Sequence, residues 1–179
     1  MARVSSISVC ICAIVAQLAV ASTLYQINAT GPAVVLQAIA TLQQLGVFGN
    51  DNEILRRIAY VETRDGKLTI NDGGIWAIRE DKFLLIQNLE NISIHLSEQI
   101  QNSFGINWIS VQWRDLRIPL YSAIVARLIL YLIPSDIPPA NDLKAQATFW
   151  ATYYNPEGSQ NDFIGASAAL QGTKCMHYQ

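Results

Sequence analysis

One carboxylate stands out for its surroundings. Glu62 lies near the end of a segment, 53–63, whose periodicity predicts a helix. The residues three, four and seven positions before it are Ala59, Ile58 and Leu55. Glu62 therefore shares its stripe with side chains that should face the core, away from Arg56, Arg57 and Lys67. A carboxyl held against apolar side chains resists ionising, and its pKa rises. A glutamate in that state can donate a proton near neutral pH. The plainer alternative is a half-exposed ion-pair residue beside an arginine, and the helix alone leaves both open.

The elements around Glu62 must position it. Asp65-Gly66 is a turn signal. Residues 68–70 and 75–78 read as two short strands joined through Asn71-Asp72-Gly73-Gly74, a connection whose residues tolerate positive φ. The two glycines also let another group come close to the backbone. Before this unit, Pro32 opens a helix over 32–45 with Val35, Ile39 and Leu42 inward and Gly46 as its stop. After it come a short helix at 81–87 anchored by Phe83, and a helix at 91–103. The latter sets Ile92, Leu96, Ile100 and Phe104 against Asn91, His95, Glu98 and Asn102, so His95 belongs to a solvated face. Residues 107–117, with Trp108 and Trp113, read as loop or short helix.

The segment 119–133 is apolar nearly all round and broken only by Arg127, as in a buried central helix whose arginine reaches an internal acid or carbonyl. A last helix, 142–154, is rich in aromatics on its late turns and ends at Asn155-Pro156-Glu157-Gly158. The tail from about 165 reads as weakly structured. The expected fold class is α+β, predominantly helical, with a small β-hairpin after the Glu62 helix.

Composition bounds the rest. The 179 residues are 51% hydrophobic and 15% charged, which suits one domain with a sizeable core. Arg3, the apolar run 7–20 and Ala19-Val20-Ala21 read as a secretory signal peptide cut after Ala21, leaving a single mature domain over 22–179 in an extracellular location. Cleavage would remove Cys10 and Cys12 and leave Cys175 alone, so the mature chain could form no internal disulfide. It would also leave 11 basic and 14 acidic residues, a net charge of −3. No basic patch points to nucleic acid, and no membrane contact is expected after cleavage. Asn28-Ala29-Thr30 and Asn91-Ile92-Ser93 are glycosylation sequons. His95 and His177 are too far apart in sequence to read as a metal set. No cofactor, phosphate-cradling loop or nucleophile motif is visible, and oligomeric state is open.

Three motifs in order resemble the goose-type lysozymes and soluble lytic transglycosylases, and look most like secreted invertebrate lysozyme-like domains. They are Ala59-Tyr60-Val61-Glu62-Thr63 with Gly66, then Gly73-Gly74-Ile75-Trp76-Ala77-Ile78, then Tyr153-Tyr154-Asn155 with Gly158. The resemblance implies a lysozyme-like fold and cleavage of the β-1,4 bond between N-acetylmuramic acid and N-acetylglucosamine. It makes Glu62 the acid that protonates the leaving oxygen. Tyr154 would help fix the carboxyl and Asn155 would shape the wall beside it. Backbone from Gly74 through Ile75 and Trp76 to Ala77 would line the groove and hold an acetamido group. Trp76 and Ala77 depart from the family's Met and Gln, so Trp76 could stack on a sugar or fill the core.

An inverting hydrolase also needs a base about 6.5–9.5 Å from the acid. Asp72 and Asp65 are the near candidates in sequence, and both also suit plain turn roles. Without either, one glutamate acts as acid and then base while the sugar's own hydroxyl closes an anhydro ring. The alternatives are a secreted protein that holds peptidoglycan or a chitin-like glycan without cutting it, and a helical inhibitor or carrier.

Overall fold

The computed structural model describes residues 23–44, 46, 48–68, 71–87 and 94–175. The leader with Cys10 and Cys12, Thr69 and Ile70, the sequon at Asn91, and His177 lie outside the described residues, as does the side chain of Cys175. Within them the regular elements are α1 (Pro32–Gln44), α2 (Ile54–Thr63), α3 (Glu80–Gln87), α4 (Ile94–Phe104), α5 (Pro119–Leu132), α6 (Leu143–Phe149) and α7 (Gln160–Cys175). Short 3-10 turns occupy Trp108–Ser110 and Trp113–Arg117, and α6 runs on into a π turn at Trp150–Tyr154.

The core is built around α5. Eleven of its residues are buried, from Pro119 to Leu130, as an apolar pattern on every side requires. Its one charge, Arg127, donates to the Gly49 carbonyl at 2.9 Å and lies over the Phe48 ring. α1 packs on α5 through a face that includes Val35, Ala38 and Leu42. α2 packs against α1 and α7. Leu55, Ile58 and Ala59 are buried on it, each at most 1% exposed. α2 ends where Arg64 and Asp65 take left-handed φ of 53° and 61°. Their N–H groups return to Tyr60 and Ala59 carbonyls at 3.0 and 3.1 Å, a Schellman-type stop. His95 is exposed on α4.

The expected β-hairpin does not form. Among the described residues there is no strand, and the fold is all-α rather than α+β. Residues 72–77 are successive turns, closed by Gly74 N–H to Asn71 O, Ala77 N–H to Gly74 O and Ile78 N–H to Gly73 O at 3.0–3.1 Å. The physical reason lies in where the loop's carbonyls go. Ser122 donates to Gly73 O at 3.2 Å and Thr63 to Ile75 O at 2.6 Å. The Tyr154 hydroxyl donates to Trp76 O, and the Trp113 indole to Ile78 O, both at 2.8 Å. Side chains from separate elements thus satisfy acceptors that a strand would offer to a partner. The glycines serve this packing. A Cβ on Gly73 would lie 2.1 Å from Ile78 O, and one on Gly74 would lie 2.0 Å from Leu116 O.

The tail also differs from expectation: 160–175 is helical. Its run of Gly, Ala and Ser carries no strong apolar stripe, so the sequence offers little periodic signal. Phe163 is fully buried, Ala166 and Ser167 nearly so, and small side chains let α7 lie against α2 and α6.

Gly74 sits at φ 68° with the Leu116 carbonyl against it. Gly74→Ala is expected to cost on the order of 3 kcal/mol, a fall in Tm of roughly 6–12 °C. Gly165, in α7 with open space around its Cβ position, gives the opposite sign: Gly165→Ala should stabilise by about 0.5–1 kcal/mol. Thermal melts of the two variants check both.

Candidate active site

Glu62 is half-buried at the C-terminal end of α2 and faces a cleft of about 440 Å³. Two side chains hold its carboxyl. The Trp150 indole N–H donates to Oε1 at 2.9 Å. The Asn155 Nδ2 lies 3.2 Å from Oε1 and 3.3 Å from Oε2. Oε1 accepts from both donors, which leaves Oε2 as the oxygen freer to carry a proton.

The π turn explains why these two residues meet. In an α-helix residues four apart share a face, whereas a π turn brings residues five apart into line. Here Asn155 N–H donates to the Trp150 carbonyl at 2.9 Å, five residues back. Trp150 and Asn155 consequently stand together over the same carboxyl. The Trp150 ring is 2% exposed and tilted against Phe163 of α7 at 5.4 Å between centroids. A Cβ on Gly158 would fall 2.1 Å from this ring, so the glycine is the space the indole occupies.

Tyr154 does not touch Glu62 through its hydroxyl, which goes to Trp76 O. It acts one step back, fixing the turn that carries Asn155 to the 71–78 loop. Burial pushes its phenol well above the ordinary value, and the nearby Glu62 charge adds to this. Opposite, Lys82 of α3 donates to the Tyr153 and Tyr154 carbonyls at 2.9 and 2.7 Å and closes the end of the π turn.

Burial raises the Glu62 pKa above the ordinary glutamate value; the donors Trp150 and Asn155, and the charge of Lys82, oppose it. Burial likewise lowers the Lys82 pKa, with the repulsion of Arg79 adding to it against Asp81 and Glu62. The mouth of the cleft carries Arg79, which donates to Asp81 at 3.0 and 3.2 Å and to Glu157 at 3.0 Å.

The other residues expected at the site divide. Ala77 lines the cleft, with a left-handed φ of 49°. Gly74 and Ile75 are buried in loop packing, and the Ile75 and Trp76 carbonyls are already engaged by Thr63 and Tyr154. Trp76 is a core residue, 0% exposed, with its indole donating to Leu55 O at 2.9 Å, so it offers no face to a sugar. Asp72 lies 3.5 Å from the Arg117 guanidinium and is not part of the Glu62 cleft. Asp65 is 1% exposed and paired bidentately with Arg56, and its carbonyl accepts from Gly31.

Sequence spacing alone does not point to Trp150 or Lys82. Trp150 belongs to the aromatic cluster noted on the late helix, but a five-residue separation from Asn155 has no α-helical meaning. Lys82 follows nothing in the sequence beyond its place next to Phe83.

A larger cavity, about 670 Å³, surrounds the other end of α2. Its two arginines are committed, Arg56 to Asp65 and Arg57 to Gln146, the Ala140 carbonyl and Glu53. Burial also raises the pKa of Asp51 there, against the charge of Arg127 and backbone N–H groups at the start of α2, and its Oδ2 is buried without a hydrogen-bond partner. The convergence of an acid with donors aimed at it belongs to the Glu62 cleft. No family model, curated protein or solved structure matches the chain.

The raised pKa has a thermodynamic consequence. The folded state holds the Glu62 proton to higher pH than the unfolded chain does. Stability is therefore lost as pH rises from the ordinary glutamate range through the raised value. Glu62→Gln removes this loss. It should melt higher than the unsubstituted protein at pH 7, and the difference should shrink toward pH 4, as thermal melts across that range will show.

Proposed function

We propose that the chain is a secreted glycan-cleaving enzyme that acts on β-1,4-linked N-acetylhexosamine polymers, the class that includes peptidoglycan, with Glu62 as general acid. The observation that carries this reading is the half-buried carboxyl with a raised pKa, held by Trp150 and Asn155 at the head of an open cleft. The ordered motifs at 59–66, 73–78 and 153–158 support the same reaction, and the leader pattern in residues 1–21 supports export.

The chemistry follows from one acid. Glu62 gives its proton to the glycosidic oxygen as the C1–O bond breaks and positive charge develops on the ring. Neither sequence candidate for a second carboxylate stands in the cleft, and the carboxylates that do, Asp81 and Glu157, are paired with Arg79. The sugar's own C6 hydroxyl then closes on C1 and returns its proton to Glu62. The product is a 1,6-anhydro end, formed without water, and Glu62 is restored.

Mass spectrometry of soluble fragments tests this. Anhydro-ended fragments are expected from the unsubstituted chain. General acid catalysis is worth about 10²–10⁴-fold, so Glu62→Gln should lose at least 10²-fold in rate. Asp72→Asn should keep activity. Fragments with free reducing ends that vanish in Asp72→Asn would restore the two-carboxylate route, and full activity in Glu62→Gln would remove the assignment altogether.

A further inference from the structure

Glu62, Arg79, Asp81, Lys82 and Glu157 are the charged side chains on the walls of the Glu62 cleft. Three of them form one cluster, in which Arg79 bonds to Asp81 and to Glu157. Among the described residues the other two, Glu62 and Lys82, have no ion-pair partner. Glu62 accepts from the neutral donors Trp150 and Asn155. The Lys82 ammonium donates to the Tyr153 and Tyr154 carbonyls at 2.9 and 2.7 Å and lies 5.2 Å from the centre of the Tyr154 ring. Neutral partners leave it its full charge. The two carbonyls also matter by position. Carbonyls at the end of a helix lack an intrahelical partner, and these belong to the two residues directly before Asn155, whose amide holds Glu62. α3 thus grips the π turn through one side chain, next to the residue that touches the acid.

We infer that Lys82 is a positioning residue for the Glu62 acid: its two hydrogen bonds hold Asn155 against the carboxyl, and its charge, which no carboxylate pairs, eases release of the Glu62 proton. The inference rests on the glycan-cleaving reading and deepens it. Lys82 takes no part in bond cleavage, and the proton still passes from Glu62 to the glycosidic oxygen. A general acid works best with a pKa near the working pH, so a proton held too tightly is of little use. Burial tightens the hold on the Glu62 proton, and Lys82 opposes it. A half-buried ammonium without a counter-ion is itself costly, and the carboxylate that Glu62 becomes relieves that cost. The other charged or titratable groups on these walls are Arg79, Asp81, Tyr153, Tyr154 and Glu157; α5 contributes Ile129, and no residue of α7 lines the cleft. Asp81 supports the charged form of Lys82 and Arg79 opposes it.

The test uses the full chain with Lys82→Met, which removes the charge and the donors, and Lys82→Arg, which keeps both. The Glu62 carboxyl is titrated by ¹³C NMR, and kcat and KM are measured across pH on chitohexaose and on peptidoglycan glycan strands. In Lys82→Met the Glu62 midpoint and the alkaline limb of kcat/KM should both move up, and kcat should fall roughly tenfold with KM little changed. Lys82→Arg should restore the midpoint and most of kcat. An unmoved midpoint in Lys82→Met overturns the inference. So does a raised KM with kcat and the limb unchanged, the signature of a residue that binds the sugar instead. Coupling between two sites is mutual, which gives a second measurement should Lys82→Met fail to fold. In Glu62→Gln the Lys82 ammonium should lose its proton at lower pH than in the unsubstituted chain, and an unchanged value overturns the inference. Neither titration needs a substrate. Coupled midpoints in a chain that cleaves neither glycan would remove the glycan-cleaving reading, and with it the role of Lys82 in that reaction. Cleavage that Glu62→Gln abolishes, with uncoupled midpoints, would remove the Lys82 inference alone.

Discussion

Side chains drawn from four places converge on the carbonyls of one eight-residue loop. Thr63 at the end of α2, Ser122 of α5, Trp113 of a 3-10 turn and Tyr154 of the π turn each donate to one acceptor between Gly73 and Ile78. Buried backbone acceptors have to be satisfied, and here that requirement ties distant segments to one short stretch. The two glycines are the condition for it, since each stands where a backbone carbonyl leaves no room for a Cβ. The Glu62 cleft inherits its shape from this knot. α2 presents Glu62 directly before Thr63, and the π turn presents Asn155 directly after Tyr154, so both walls are anchored one residue away from the carboxyl and its amide donor.

The electrostatics of the cleft are a balance in which burial wins. Trp150, Asn155 and Lys82 all favour the ionised carboxyl, and the desolvation of Glu62 outweighs them. A carboxyl placed this way destabilises the folded chain at neutral pH, which is the cost expected of a poised acid. The hydrogen bonds still matter, because they fix which oxygen is the freer: Oε1 accepts from both donors and Oε2 from Asn155 alone. They do so through a helical irregularity: the π turn spends one extra residue to bring Trp150 and Asn155 onto the same side.

Much of the helical frame was legible in the residues. Pro32, Pro119 and the apolar spacing of 55, 58 and 59 mark elements that the structure contains, and the Glu62 position on an inward stripe could be read directly. The turn structure of the 71–78 loop was not legible. Asn71-Asp72-Gly73-Gly74 between apolar residues has the local chemistry of a β-turn connection, and what overrides it is non-local: hydroxyls and indoles from residues up to 78 positions away take the carbonyls. Trp76 shows the same limit, since its burial against Leu55 depends on that packing. α7 escaped notice for the opposite reason. Its small residues give no periodic signal alone, and the helix is held by neighbours that only the fold supplies. The Arg79 pairing with Glu157 likewise joins segments that local spacing does not relate.

In the proposed reaction a single carboxyl, raised in pKa by burial, does the acid work. The direct test is a ¹³C titration of the Glu62 side-chain carboxyl in the intact chain, measured beside the pH dependence of kcat/KM. The Glu62 midpoint should lie above the ordinary glutamate range, with activity falling at higher pH through that same midpoint. A carboxyl that titrates as an ordinary surface glutamate, or an alkaline limb that does not follow it, would rule out Glu62 as the acid.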